Sequence, residues 1–282
     1  MAKILLTGWS GFIGSHVLDE LKGGRNSVKL FQGDITKPAD CIRNCRDMDT
    51  VFNLAALTYL PPSDVNPKAY MDVNFNGVVN LLNCKEMFSR FIQVSSSFVN
   101  GSVPPEFLPI RVGGNPLEPQ DPYGIAKLAA EKAVASYAKK FGFDYLIIRP
   151  FNNFGPRQSR HFVIPHFIQQ ALNDGVITVR GNNEREFLFV EDTARIMANY
   201  LERKATGIKQ ICRGEPYHIL DIAQRIADIV GKVDVKLVES DRPKDIPTLY
   251  GTPSDPYPMT PLDDALKKTI KWYAKNRPWE KT

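Results

Sequence analysis

Three glycines spaced three apart, Gly8, Gly11 and Gly14 in TGWSGFIGSH, restrict the possible folds of this chain more than any other stretch. The apolar run KILLT precedes them. A helical pattern, GFIGSHVLDELKG, follows, with Ile13, Val17, Leu18 and Leu21 at helix spacing and Gly23 as a stop signal. A turn of this kind lets backbone N–H groups approach a pyrophosphate at the helix amino terminus, and Gly14 allows the helix to pack close to the sheet. A glycine triplet alone is compatible with a simple tight turn. With a strand before it and a helix after it, it points to a dinucleotide site.

The alternation continues. SVKLFQGDI reads as a strand, PADCIRNCRD as a helix, TVFNLAAL as a strand and PKAYMDVNFNGVVNLLNCKEM as a long helix. RFIQVSS, YGIAKLAAEKAVASYAKKFG and DYLIIRPF repeat the strand, helix, strand order. Such alternation predicts an α/β fold, a Rossmann-type doubly wound parallel sheet covered by helices on both faces. After about Asn153 the elements shorten and prolines and glycines take over, as in a smaller α/β partner domain. The expected division is therefore 1–153 and, mainly, 154–282, which suits a chain of 282 residues.

Composition excludes several classes. The chain is 43% hydrophobic with a net charge of +5, and no dense basic block carries interleaved aromatics. That argues against nucleic acid and suits a small anionic ligand. Cys41, Cys45, Cys84 and Cys212 form no metal or disulfide framework, so reduced structural thiols are expected. His161, His166 and His218 are not spaced as ligands, and no metal is expected. MAKILLTGWSG lacks a signal peptide's apolar core, and no run reaches membrane-spanning length; the expected location is the cytoplasm.

Two further stretches carry chemistry. In DPYGIAKLAAEK, Tyr123 and Lys127 are four apart on a helix and share a face. Lowering a tyrosine from a pKa near 10 to near neutrality requires roughly 4 kcal/mol. An ammonium about 6 Å away, at an effective dielectric near 20, supplies on the order of 3 kcal/mol. A positively charged nicotinamide would supply the remainder, making Tyr123 a general base. The second stretch is QVSSSFVNGS, where a strand ends in Ser95, Ser96 and Ser97. Three hydroxyls in a row suit a turn better than a strand.

Jointly, TGWSGFIGSH, GDI at Gly33 to Ile35, NLAAL at Asn53 to Leu57, SSSFVNG, YGIAK, RPFNNFGPRQ, REFLFVEDTA and TPLDDALKKTIKWY resemble the extended short-chain dehydrogenase/reductases of the nucleotide-sugar epimerase/dehydratase group. The resemblance covers nearly the whole chain. It implies a Rossmann domain, a smaller substrate domain for a nucleotide diphosphate sugar, a return of the chain to the Rossmann domain near 186–204, and a homodimer. It implies catalytic roles for Ser96, Tyr123 and Lys127, with Ser95 and Ser97 open as one-residue shifts. NAD, with NADP open, would be held by Gly8, Gly11, Phe12, Ile13, Gly14, Asp34, Ile35, Leu54, Ala55 and Ala56 together with Tyr123 and Lys127. Substrate would meet Ser96, Ser97, Asn152, Arg185 and Arg242. Related dehydratases place an Asp-Glu pair directly after the catalytic Ser/Thr; here Ser97 and Phe98 stand there. The implied reaction is therefore epimerisation at C4 through a 4-keto intermediate. A reductase or dehydratase of the same family, or a non-catalytic dinucleotide sensor, is the alternative.

One departure stands out. Between Leu21 and Gly33 there is room for one strand, Val28 to Gln32, where a Rossmann half usually has a second strand ending in a ribose-binding acid. The second strand is expected to be deleted or shortened, with Arg25 in the replacing loop a candidate for meeting a 2′-phosphate.

Overall fold

The computed structural model describes residues 1–59, 61–240 and 246–280. Two compact units are present: Met1–Gly101, Val112–Pro150 and Ala194–Ile211 form the first, and Ser102–Arg111, Phe151–Thr193 and Cys212–Thr282 the second.

The first unit is built on a six-stranded parallel sheet. Its strands are β1 (Lys3–Thr7), β2 (Ser27–Leu30), β3 (Thr50–Asn53), β4 (Arg90–Val94), β5 (Asp144–Pro150) and the last strand Gly207–Ile211. Read across the sheet from that last strand, the order is β5, β4, β3, β1, β2. Every residue of β3 and β4 is buried, as a sheet covered on both faces requires. The polar members of β4 are paired. Gln93 accepts from Asn53 Nδ2 at 2.9 Å, and Arg90 donates to the carbonyls of Tyr200, Leu201 and Ala205. Those carbonyls lie at the carboxyl end of the helix Val190–Glu202, where a cation also meets the negative end of the helix dipole.

Helices α1 (Phe12–Lys22), α2 (Pro38–Cys45) and α3 (Pro122–Phe141) connect these strands. The ends of α3 are written in its sequence. Asp121 accepts the Gly124 N–H at 2.8 Å, Pro122 takes the first position, and Gly142 closes the helix at φ +76°. The segments Pro67–Met71 and Gly77–Leu82 are joined by a π-helical turn over Asp72–Asn76. One core of this unit packs Leu5, Val51, Phe91 and Ile147 of the sheet against Val78, Leu81, Val134 and Ala138. Cys41, Cys45 and Cys84 are free thiols inside that core. Burial pushes the Cys41 thiol up to about 12, which keeps it protonated.

The edge at β2 explains how the short interval is accommodated. One strand lies between α1 and α2, and it pairs directly with β1, Lys3 opposite Ser27 and Leu6 opposite Leu30. It therefore takes the place of a Rossmann second strand, and the strand missing by position is the outermost one. Its outer edge is met by a side chain. Asn44 of α2, 3% exposed, accepts the Gln32 N–H at 3.1 Å and donates to the Gln32 carbonyl at 2.9 Å. A third bond, to the Asp40 carbonyl at 2.8 Å, fixes the amide on its own helix. A single amide thus meets both polar groups of one backbone residue, as a neighbouring strand would.

In the second unit, the helices Val163–Asn173, Ile219–Val230 and Leu262–Asn276 surround short strands. Val176–Arg180 pairs in parallel with Asp234–Val238, Asn153–Phe154 with Leu188–Phe189, and Glu184–Arg185 lies between Tyr217–His218 and Thr248–Leu249. Phe154, Ile168, Phe189, Ile226, Leu266 and Tyr273 are among its core residues.

Asn44→Ala should destabilise the first unit by about 2–3 kcal/mol, the cost of stranding buried backbone groups. Urea unfolding measures this; a loss below about 0.5 kcal/mol would show that the β2 edge does not depend on the amide.

Candidate active site

The glycine turn sits at the carboxyl end of β1. Gly8 has φ +62°, and a Cβ there would lie 2.5 Å from the Leu54 carbonyl carbon and 2.6 Å from the Ala55 nitrogen. A Cβ on Gly14 would lie 2.0 Å from the Gly8 carbonyl oxygen. Gly11 donates its N–H to that oxygen at 3.0 Å and precedes α1, which carries no side-chain cap. The N–H groups of Phe12 and Ile13 in the first turn of α1 have no acceptor within the helix. Beside the turn, Thr7 Oγ1 accepts the N–H groups of Leu54 and Ala55, both at 3.1 Å. Asn74 brackets Leu57 with bonds to its N–H and carbonyl. Leu54, Ala55 and Ala56 are consequently held half-buried next to Gly8. An uncapped helix terminus facing a turn with glycine at positions 8 and 11 fits the pyrophosphate of a dinucleotide.

The second cluster lies where β4 meets α3. Ser96 caps the short turn Ser97–Asn100; its Oγ accepts the Phe98 N–H at 3.2 Å and is hydrogen-bonded to Tyr123. Ser95 continues the sheet, its N–H donating to Ile148 at 2.7 Å, while Ser97 is buried and gives its carbonyl to Asn100 Nδ2. Of the three adjacent serines, Ser96 is therefore the one beside the tyrosine. Gly124 lets α3 approach this turn, since a Cβ there would meet the Phe98 carbonyl at 2.8 Å. One helical turn beyond Tyr123, Lys127 donates to the Val94 carbonyl at 2.9 Å, with Nζ 5.9 Å from the centre of the tyrosine ring.

Burial sets the protonation of both groups. It pushes the Tyr123 phenol up to about 12, against the lowering effect of the Ser96 hydrogen bond, with Asp121 and Tyr70 adding to the rise. It pulls Lys127 down to about 8, against the Glu131 carboxylate. Desolvation is the largest of the influences on the phenol. Glu131 itself forms a bidentate pair with Arg149 at 2.8 and 2.7 Å, both side chains 3% exposed.

At the carboxyl end of β2, Asp34 is exposed; its N–H donates to Asp40 Oδ2 and its Oδ1 accepts the Thr36 N–H, both at 2.9 Å. Ile35 turns into the core. Arg25 lies at the opposite end. It precedes Ser27, which pairs with Lys3 at the amino end of β1, whereas the glycine turn follows Thr7 at the carboxyl end. The four residues of β2 span about 13 Å, so Arg25 cannot meet a ribose held near Gly8.

In the second unit, the buried Asn152 Nδ2 has no hydrogen-bond partner, whereas its neighbour Asn153 is engaged through both ends of its amide. Arg185 is 9% exposed, with Nη1 donating to the carbonyls of Glu184 and Pro247. Arg242 lies outside the described residues. Two neighbours of the sites went unread in the sequence. Trp9 Nε1 donates to the Phe31 carbonyl at 3.0 Å and ties the glycine turn to the end of β2; no motif marks it. Asp121, beside Tyr123, has its carboxyl raised by burial. Its place before a proline at a helix start was the available signal. Among the described residues, no group of three or more His, Cys, Asp or Glu side chains is placed to hold a metal ion, and no helix is long and apolar enough to cross a membrane.

Known proteins resemble this chain in sequence and fold. Residues 4–219 match the family described as NAD dependent epimerase/dehydratase. The GDP-6-deoxy-D-mannose reductase of Pseudomonas aeruginosa is 29% identical over 253 residues, which cover 84% of this chain and 83% of that protein. The structure of UDP-N-acetylglucosamine 4-epimerase from Methanobrevibacter ruminantium M1, in complex with UDP-N-acetylmuramic acid, aligns with a TM-score of 0.90 at 28% identity, covering 98% of this chain and 99% of that one. RMD from Pseudomonas aeruginosa, complexed with NADPH, aligns at 0.88 and 26% identity, covering 98% and 100%. With the glycine turn, the six-stranded parallel sheet and the match over residues 4–219, the chain belongs to the NAD dependent epimerase/dehydratase family, whose members use NAD or NADP.

Proposed function

We propose that the chain is an NAD(P)-dependent nucleotide-sugar epimerase that inverts C4 of the sugar through a transient 4-keto species. The observation that carries this reading is the make-up of the proton-transfer cluster. Ser96 is bonded to Tyr123, Lys127 stands one turn on, and Ser97 and Phe98 occupy the two positions after Ser96. Neither of those two can act as a carboxylate acid or base. The cluster so offers proton exchange at one hydroxyl-bearing carbon and none for its neighbours, which suits oxidation and re-reduction at a single centre.

In this reading Tyr123 Oη takes the proton of the C4 hydroxyl while Ser96 Oγ hydrogen-bonds the same oxygen. The bound cofactor supplies the hydride-accepting carbon and the positive charge that the phenolate needs beyond Lys127. Gly8, Gly11, Phe12, Ile13, Gly14, Asp34, Ile35, Leu54, Ala55 and Ala56, together with Tyr123 and Lys127, are its proposed holders. Asn152 and Arg185, with Arg242, are the proposed contacts of the sugar nucleotide, and bidentate geometry suits arginine to a diphosphate. The four free cysteines suit a reducing compartment, the cytoplasm, and the exposed Ile125 and Phe141 of α3 suit a homodimer. A second reading, net reduction of a keto sugar by the same cluster, is favoured by the likeness to the Pseudomonas aeruginosa reductase.

Incubation with UDP-, GDP-, CDP- and dTDP-sugars and either oxidised cofactor should give a product of the substrate's own mass. A keto product lighter by one water would identify a dehydratase and contradict the proposal. Tyr123→Phe should lower kcat at least about 100-fold while leaving cofactor affinity unchanged. Lys127→Ala should weaken both, and near-normal turnover of Tyr123→Phe would remove the tyrosine from the mechanism.

A further inference from the structure

We infer that Arg43 reads the 2′ position of the cofactor's adenosine ribose, and that the chain prefers the 2′-phosphorylated dinucleotide. The inference rests on the dinucleotide site of the proposed function. It does not depend on the reaction, because the nicotinamide chemistry is the same with or without a phosphate on the remote ribose.

In a Rossmann half, the residue that decides between the two cofactors stands at the carboxyl end of the strand beside β1. An acid there bonds the ribose hydroxyls, and a nearby arginine accommodates a 2′-phosphate. In this chain that strand is β2, and Gln32, uncharged and exposed, follows its end. β2 is the end strand of its sheet, α2 lies against its carboxyl end, and α2 delivers Arg43. Its Nη2 donates to the Gln32 carbonyl at 3.0 Å and pairs with Asp40 Oδ1 at 2.8 Å. A guanidinium is thereby fixed beside the backbone of Gln32. Both contacts use Nη2 and the side chain is 61% exposed, so a group with five donors keeps edges turned to solvent.

The charges around it do not cancel this. Asp40 has one oxygen on Arg43 and the other on the Asp34 N–H, and the Arg43 and Lys37 charges both act on it. Asp34 holds Thr36 with Oδ1 in a turn of its own making. Lys37 adds a second cation that acts on Asp40, and Trp9 ties the glycine turn to the carbonyl of Phe31, next to Gln32. Among the side chains placed at this end of β2, Arg43 offers the planar, multi-donor geometry that a phosphate monoester takes.

Titration of the full chain with NADPH and NADH, followed by nucleotide fluorescence, tests the inference without turnover. NADPH should bind at least tenfold more tightly. Arg43→Gln should weaken NADPH about tenfold and leave NADH unchanged, and Arg43→Lys should restore part of the loss. An unchanged NADH affinity also shows that the variant is folded. Displacement by 2′,5′-ADP, but much less by 5′-ADP, should assign the preference to the adenosine end. Equal or tighter binding of NADH to the natural chain would overturn the inference, as would an Arg43→Gln protein that loses both cofactors equally or neither. Failure of the natural chain to bind either dinucleotide would instead bring down the cofactor site itself.

Discussion

The candidate cofactor site depends on one close approach, that of α1 to the end of β1. A Cβ on Gly14 would sit 2.0 Å from the Gly8 carbonyl, and one on Gly8 would strike the backbone of Leu54 and Ala55. These are backbone contacts, so no rotamer change relieves them. With hydrogen at both positions, the helix terminus, the turn and the loop after β3 come together as a single backbone surface. The bonds from Leu54 and Ala55 to Thr7 hold that surface closed on one side, and Trp9 holds it on the other.

The cluster at the mouth of α3 is governed by burial working against charge. Bringing a phenol from about 12 to near neutrality requires roughly 7 kcal/mol. A single cation about 6 Å away supplies on the order of 3 kcal/mol at an effective dielectric of 20. One charge of that size does not close the gap, which is why the proposed base role of Tyr123 calls on a cationic cofactor as well as Lys127. The same burial, costly to the protein's own charges, makes each hydrogen bond in the cluster count for more.

Much of this was legible in the sequence, and the reasons it was, or was not, are physical. Glycine spacing, strand alternation and the Tyr-x-x-x-Lys pair are local, and the helix and sheet periods translate them directly into faces and ends. The single strand between α1 and α2 was legible because chain length is a hard limit. How its edge would be closed was not, because Asn44 bonds Gln32 across a loop and a helix, and an asparagine in a helical pattern carries no sign of a strand-like role. Arg25 was misplaced for a related reason. Proximity in sequence to the missing strand says nothing about which end of a parallel sheet the loop occupies, and the pairing of Ser27 with Lys3 puts it at the wrong one. How deeply the phenol would be buried was not legible, because burial is a tertiary property.

In the proposed reaction a hydride leaves and returns to one carbon, with Tyr123 handling the hydroxyl proton. Turnover of a nucleotide sugar carrying deuterium at C4, followed by proton NMR, tests it most directly. The expected product is an epimer that keeps its deuterium at C4 with inverted configuration, with no net change in cofactor absorbance. Loss of the label to solvent, or stoichiometric consumption of reduced cofactor, would contradict it.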